Sequence, residues 1–112
     1  MPQDGNQSHE QCLYRGINLA PMVRCGTLPL RILALRYGAN AVWGEEIIDR
    51  KLAACARVPN AHLQTVDFVH PDGTVVFRTC PLLEAGRIVC QLGTSSPAGA
   101  LAAARVIQGD VA

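Results

Sequence analysis

The side chain in this sequence best placed to do chemistry is Gln91. It interrupts an apolar run, following Ile88-Val89-Cys90 and preceding Leu92. An uncharged amide in such a setting must find hydrogen-bond partners or stay near solvent, and a bound ligand would satisfy it. Met22 ends a second apolar run, Ile17-Asn18-Leu19-Ala20-Pro21-Met22. A methionine there either fills a gap in the interior or lies against a cofactor. Glu45 and Glu46 invite a general acid or base reading, but adjacent carboxylates at a helix start are more often electrostatic caps. Gly93-Thr94-Ser95-Ser96 could cradle a phosphate through free backbone donors; lacking a Lys or further glycines, it reads as a helix cap. His62 and His70 fall in loop or turn positions. Cys25, beside Arg24, is a candidate for a reactive thiol.

The five cysteines, Cys12, Cys25, Cys55, Cys80 and Cys90, form no C-x-x-C pair and have no nearby paired histidine. A disulfide framework and a metal site are both disfavoured, and reduced thiols are expected. The formal net charge is +1, and the ten basic residues are spread from Arg15 to Arg105 rather than gathered into a run. The segment therefore carries no electrostatic footprint for nucleic acid. Its start is polar and acidic where a signal peptide would be basic and then apolar, and no uninterrupted apolar stretch could span a bilayer. The expected location is cytoplasmic, with no membrane partner.

These residues need elements to hold them. Residues 1–14 lack periodicity and read as a flexible arm, and residues 15–112 read as one globular unit. Residues 17–22 form a first strand. Thr27 can cap a helix in which Pro29 needs no donor, Leu28, Ile32 and Leu35 share a face, and Gly38 supplies the stop. Residues 39–44 form a second strand, followed at Glu45 by a helix with Ile48, Leu52 and Cys55 on its apolar side. Residues 65–69 and 74–79 flank His70-Pro71-Asp72-Gly73 as a hairpin. Residues 87–92 form a third strand. Ser96 with Pro97 then opens a helix bearing Ala100, Ala104 and Ile107 and ending at Gly109. Strands alternating with helices predict an α/β fold with a parallel sheet.

The sequence Leu19-Ala20-Pro21-Met22-Val23-Arg24-Cys25-Gly26-Thr27-Leu28-Pro29 resembles the tRNA-dihydrouridine synthase family, in its eukaryotic D-loop-modifying type. The resemblance continues through Leu35-Arg36-Tyr37-Gly38-Ala39, Glu45-Glu46-Ile47-Ile48-Asp49, Thr65-Val66-Asp67-Phe68-Val69, Val75-Val76-Phe77-Arg78-Thr79-Cys80 and Gln91-Leu92-Gly93-Thr94-Ser95. Each piece alone is common, and their order is what is specific. Relatives tend to carry valine for Cys25, Tyr-Cys for Trp43-Gly44 and methionine for Leu92, and none of these departures removes a flavin contact.

The resemblance implies the N-terminal part of a TIM (β/α)8 barrel, about three βα units plus a β-hairpin, that binds FMN. It places Pro21, Met22 and Val23 against the flavin and gives Gln91 a hydrogen bond to its ring. In this family NADPH reduces FMN, a hydride passes from N5 to C6 of a tRNA uridine, and a cysteine protonates C5. The cysteine segment is expected beyond Ala112, so no catalytic residue is assigned within the chain. tRNA contact is expected through the C-terminal part, and alone the chain is expected to be inactive and to self-associate. The alternatives are a non-catalytic truncated isoform and a small α/β interaction domain.

Overall fold

A computed structural model describes Leu13 and residues 15–112. The arm read for residues 1–14 lies, apart from Leu13, outside the described residues. Leu13 itself is buried, and its carbonyl accepts a hydrogen bond from Asn40 Nδ2 at 3.0 Å.

Three short strands, β1 (Asn18–Leu19), β2 (Ala41–Trp43) and β7 (Ile88–Val89), form a parallel sheet in the order β1-β2-β7. Asn18 pairs with Ala41 and Val42 with Ile88, so their C-terminal ends share one edge. The ladder does not stop there. Gly44 N donates to Val89 O and Ile47 N to Gln91 O, both at 2.9 Å, and the chains pair again as β3 (Ile47–Ile48) and β8 (Leu92–Gly93). The single third strand expected over residues 87–92 is therefore two short strands with a break at Cys90 and Gln91. Val42 and Ile88 are fully buried, as an inner parallel layer requires.

Parallel neighbours need a crossover. Between β1 and β2 it is α1 (Leu28–Arg36). Thr27 stands at the N-cap in extended conformation without a side-chain cap bond, and a proline occupies the first turn. Gly38, at φ 99°, takes the left-handed position that lets Ala39 N return to Ala34 O at 3.0 Å. The expected apolar face is only half-buried, and the buried residue of the helix is Arg31.

The longer crossover from β2 to β7 departs most from the sequence reading. No helix begins at Glu45. After β3 comes α2 (Asp49–Ala53), whose first-turn acid is Asp49. Ile48, expected on the helix's apolar face, is exposed, while Leu52 is fully buried. Then follow β4 (Ala56–Asn60), β5 (Thr65–Val69) and β6 (Val75–Thr79), an antiparallel sheet in that order. The expected hairpin is β5 with β6. Its turn is closed by His70 N to Thr74 O and Gly73 N to His70 O, both 2.8 Å, with Gly73 at φ 91°. β4 covers the other edge of β5, so β5 is central, and residues 65–68 are buried in succession. A short helix, α3 (Pro81–Glu84), returns the chain to β7.

The closing helix α4 (Pro97–Ile107) forms as its sequence requires: Ser96 Oγ accepts from Gly99 N at 3.0 Å and Pro97 opens the first turn. It packs on α2 through Leu52, Ala103 and Ile107. One core joins these helices to Val42, Ile88, Phe68 and Phe77, whose rings lie 5.9 Å apart at 48°. Burying each such side chain stabilises the fold by about 1.5–3 kcal/mol.

A buried ion pair joins α1 to α3. Arg31 Nε donates to Glu84 Oε1 at 2.7 Å with side chains 2% and 0% exposed. Arg31 also donates to Gly26 O at 2.9 Å and Arg78 O at 2.6 Å, and its guanidinium lies 5.1 Å from the Phe77 ring centre. Glu84 Oε2 accepts in turn from Thr79 Oγ1 at 2.7 Å and Cys80 N at 3.2 Å. Both charges are thus fully partnered, the condition under which a buried pair is tolerated.

Candidate functional site

Parallel strands deliver their following residues to a common edge, and in this fold that edge gathers the candidates. Residues 20–26 follow β1, residues 44–46 follow β2, and Cys90 and Gln91 follow β7. At roughly 4.8 Å per neighbouring strand, β1 and β7 stand about 10 Å apart with β2 between them.

Pro21, Met22 and Val23 are all exposed; Met22 is 39% and Val23 72% accessible. None of them belongs to the core, so Met22 is not a gap-filler. Gln91 is half-buried, and its carbonyl accepts from Ile47 N. Among the described residues its side-chain amide has no hydrogen-bond partner. An apolar surface on one strand end and an unpaired amide two strands away are therefore brought to the same edge.

The loop after β1 is tightly made. Gly26 N donates to Met22 O at 3.0 Å, and Arg31 Nη1 holds Gly26 O. A Cβ on Gly26 would come within 2.9 Å of Glu45 N, so only glycine fits. Arg24 has φ 68°, and its amide donates to Glu45 Oε2 at 2.7 Å. Glu45 is thus bonded to this loop rather than capping a helix. Glu46 lies with its carboxylate against Gly93, where a Cβ would collide with it.

The segment Gly93-Thr94-Ser95-Ser96 is occupied in holding α4. Thr94 Oγ1 donates to Asp49 Oδ2 at 2.8 Å, tying the starts of α2 and α4 together, and Ser96 caps α4. Cys25 is exposed. The Cys90 thiol is pushed up to about 11 by burial, with partial relief from Arg31. His62 is exposed, while His70 is half-buried with Nδ1 at 3.1 Å from Asp72 Oδ1. No cluster of three or more His, Cys, Asp or Glu able to hold a metal occurs among the described residues. Nor is any described helix long and apolar enough to cross a membrane.

A cleft of about 420 Å³ opens beside the loop, lined by Thr27, Pro29, Glu45, Leu63, Phe77 and Arg78 among others. It contains none of Pro21, Met22, Val23 and Gln91, the candidates gathered at the strand ends. Sequence reasoning passed over Arg31 and Glu84, which pair across 53 residues, and read Glu45 as a helix cap, whereas its carboxylate bonds Arg24 N 21 residues away.

No family model matches the chain. Over 99 residues, 83% of this chain and 26% of the relative, it is 50% identical to the tRNA-dihydrouridine(20) synthase (NAD(P)+) of Saccharomyces cerevisiae. Over 111 residues, 96% of this chain and 22% of the relative, it is 49% identical to the protein of the same name from Schizosaccharomyces pombe. The chain spans about a quarter of the length of these curated relatives. With half of its residues identical along nearly all of its length, it belongs to the tRNA-dihydrouridine synthase family.

Proposed function

We propose that the protein containing this chain forms dihydrouridine in tRNA with FMN as its cofactor and NADPH as its reductant. In this reading the chain supplies about three βα units of a TIM barrel and one side of the flavin site. The observation that carries it is the placement of exposed Met22 and Val23 at one sheet edge with the Gln91 side-chain amide, which has no partner among the described residues. That combination suits a flat, largely apolar ring system with polar atoms on its rim. Strand ends at the C-terminal face are also where barrels build their sites. Bound there, FMN would supply hydride transfer between the nicotinamide and the uracil ring.

The chain's own part is placement. Pro21, Met22 and Val23 cover one region of the ring and exclude water from it. Gln91 fixes orientation, since an amide both donates and accepts and so reads a ring edge from either side. The proton donor for the uracil carbon is expected among residues outside this chain, as is the basic surface that would bind tRNA. By this reading the chain alone makes no dihydrouridine.

The test uses a chimera in which this chain replaces the matching segment of the Schizosaccharomyces pombe relative. Gln91→Ala should lower the flavin retained per protein after gel filtration, since a buried ring atom loses a partner at about 1–3 kcal/mol. An unchanged ratio would remove Gln91 from the site. The same column run on the isolated chain reads its self-association, for which the outer edges of β1 and β7, the latter covered only by Ala112 N on Ile88 O, are the reason. A sharp monomer peak would end that expectation and favour a small self-contained α/β domain.

A further inference from the structure

We infer that Glu45 is a positioning residue, whose carboxylate latches a strained loop so that Pro21, Met22 and Val23 stay turned toward the flavin. The inference rests on the function proposed above and adds a residue to it.

Arg24 sits at φ 68°, a left-handed conformation that L side chains rarely adopt. Such a residue persists only where its surroundings over-determine it. Here the surroundings are specific. The Arg24 amide donates to Glu45 Oε2 at 2.7 Å, within the range of charge-assisted bonds. Glu45 follows Gly44, which is buried and bonded through its amide to Val89 O at 2.9 Å, so the carboxylate reaches out from a fixed point on the sheet. From the other side, Gly26 brings the loop backbone directly against Glu45 N, with no space for a Cβ.

The strain serves no packing purpose. Residues 21–25 are all exposed, and none contributes to the core. Among the described residues, what accompanies the left-handed Arg24 is the turn closed by Gly26 N on Met22 O, and hence the direction of Met22 and Val23 just before it. Without the latch Arg24 can relax to negative φ, and the peptide planes on its N-terminal side must turn with it. A side chain that acts on the ring through another segment of backbone is a positioning residue, and its removal should loosen the ring's seat without unfolding the domain.

The chimera described above tests this with Glu45→Ala and Glu45→Gln. Glutamine keeps an oxygen able to accept from Arg24 N, whereas alanine keeps none. Glu45→Ala should weaken FMN binding by about tenfold, and Glu45→Gln by no more than about threefold, with the thermal midpoints of both equal to that of the parent. Exchange of the Arg24 amide with solvent should be slow in the parent and in Glu45→Gln, and fast in Glu45→Ala. Parental FMN affinity in Glu45→Ala would overturn the proposal. So would equal losses in the two variants, a parallel fall in thermal midpoint, or equal amide exchange in all three. A parent chimera that neither retains FMN nor forms dihydrouridine would instead overturn the functional reading, and the proposal with it. In that case amide exchange would still report whether the latch exists.

Discussion

The antiparallel sheet and the open edge of the parallel sheet treat their polar groups in opposite ways. In the antiparallel sheet, Asp67 accepts from Arg78 at 2.7 and 2.9 Å, from Thr65 at 2.8 Å and from Asn60 at 3.1 Å. Nothing is left for a ligand. At the parallel edge, Gln91 keeps its side-chain amide unpaired among the described residues, and Met22 and Val23 are bare. The contrast separates side chains that complete the fold from side chains kept available. Charge alone would point to pairs such as Asp67–Arg78, whose carboxylate has no acceptor to spare.

Between the two regions stands the Arg31–Glu84 joint, and breaking it should have the largest effect. Glu84→Ala strands a buried guanidinium and should cost about 3–5 kcal/mol. That is a large fraction of the roughly 5–15 kcal/mol by which domains are ordinarily stable. The combination Arg31→Met with Glu84→Leu should recover most of the loss, as seen in the denaturant midpoint. Recovery by neither would mean that the pair's neutral bonds to Gly26, Arg78 and Thr79 matter more than its charges.

A smaller effect should come from within the antiparallel sheet. The Asp67 carboxyl is held at about 2, below its ordinary 3.8, mainly by the Arg78 hydrogen bond. A depressed carboxylate stabilises the fold fully above its unfolded value, and that contribution is lost as pH falls through the folded one. The window is thus between about pH 4 and pH 2. The shift corresponds to about 1–2 kcal/mol once the partial exposure of Arg78 is allowed for. Urea unfolding across that window should show the loss, and Asp67→Asn should flatten it. A slope unchanged in Asp67→Asn would assign the acid sensitivity to other carboxylates.

The smallest expected difference is chemical and leaves stability alone. Cys25 is exposed, whereas the Cys90 thiol is pushed up to about 11 by burial. An alkylating reagent at neutral pH should label Cys25 well before Cys90, because the thiolate is the reacting form. Peptide mapping reads the order, and prior labelling of Cys90 would show that the sheet edge opens more than its packing suggests.

What was legible in the sequence is what short-range chemistry decides. Ser96 with Pro97, Gly38 after α1, and Pro71-Asp72-Gly73 between β-branched runs each mark a boundary through bonds to near neighbours, and each marks a real one. What was not legible depends on distant partners. β4 contains Arg57 and Pro59 and shows no alternation; it is a strand because Ala56 to Asn60 pair with residues of β5. Arg31 lies beside the expected apolar face of α1 and is buried because Glu84 waits 53 residues on. Glu45 and Glu46 have the local character of a helix start, yet the backbone there continues the parallel ladder instead. The candidate site was legible only in part. Gln91 was marked by its oddity among apolar neighbours, whereas Pro21, Met22 and Val23 came from family resemblance, and Glu45 from neither.

Gly93 and Glu46 have one further implication. A methyl group on residue 93 and the carboxylate of residue 46 would claim the same space. Gly99 and Asp49 stand in the same relation across the starts of α2 and α4. The exposed Glu46 carboxylate can swing aside to make room. The Asp49 carboxylate is buried and held by Thr94, so it must shorten before residue 99 can grow, and a lineage that enlarges Gly99 first passes through a strained intermediate. The route by which this edge could diversify is narrower than the number of its exposed residues suggests.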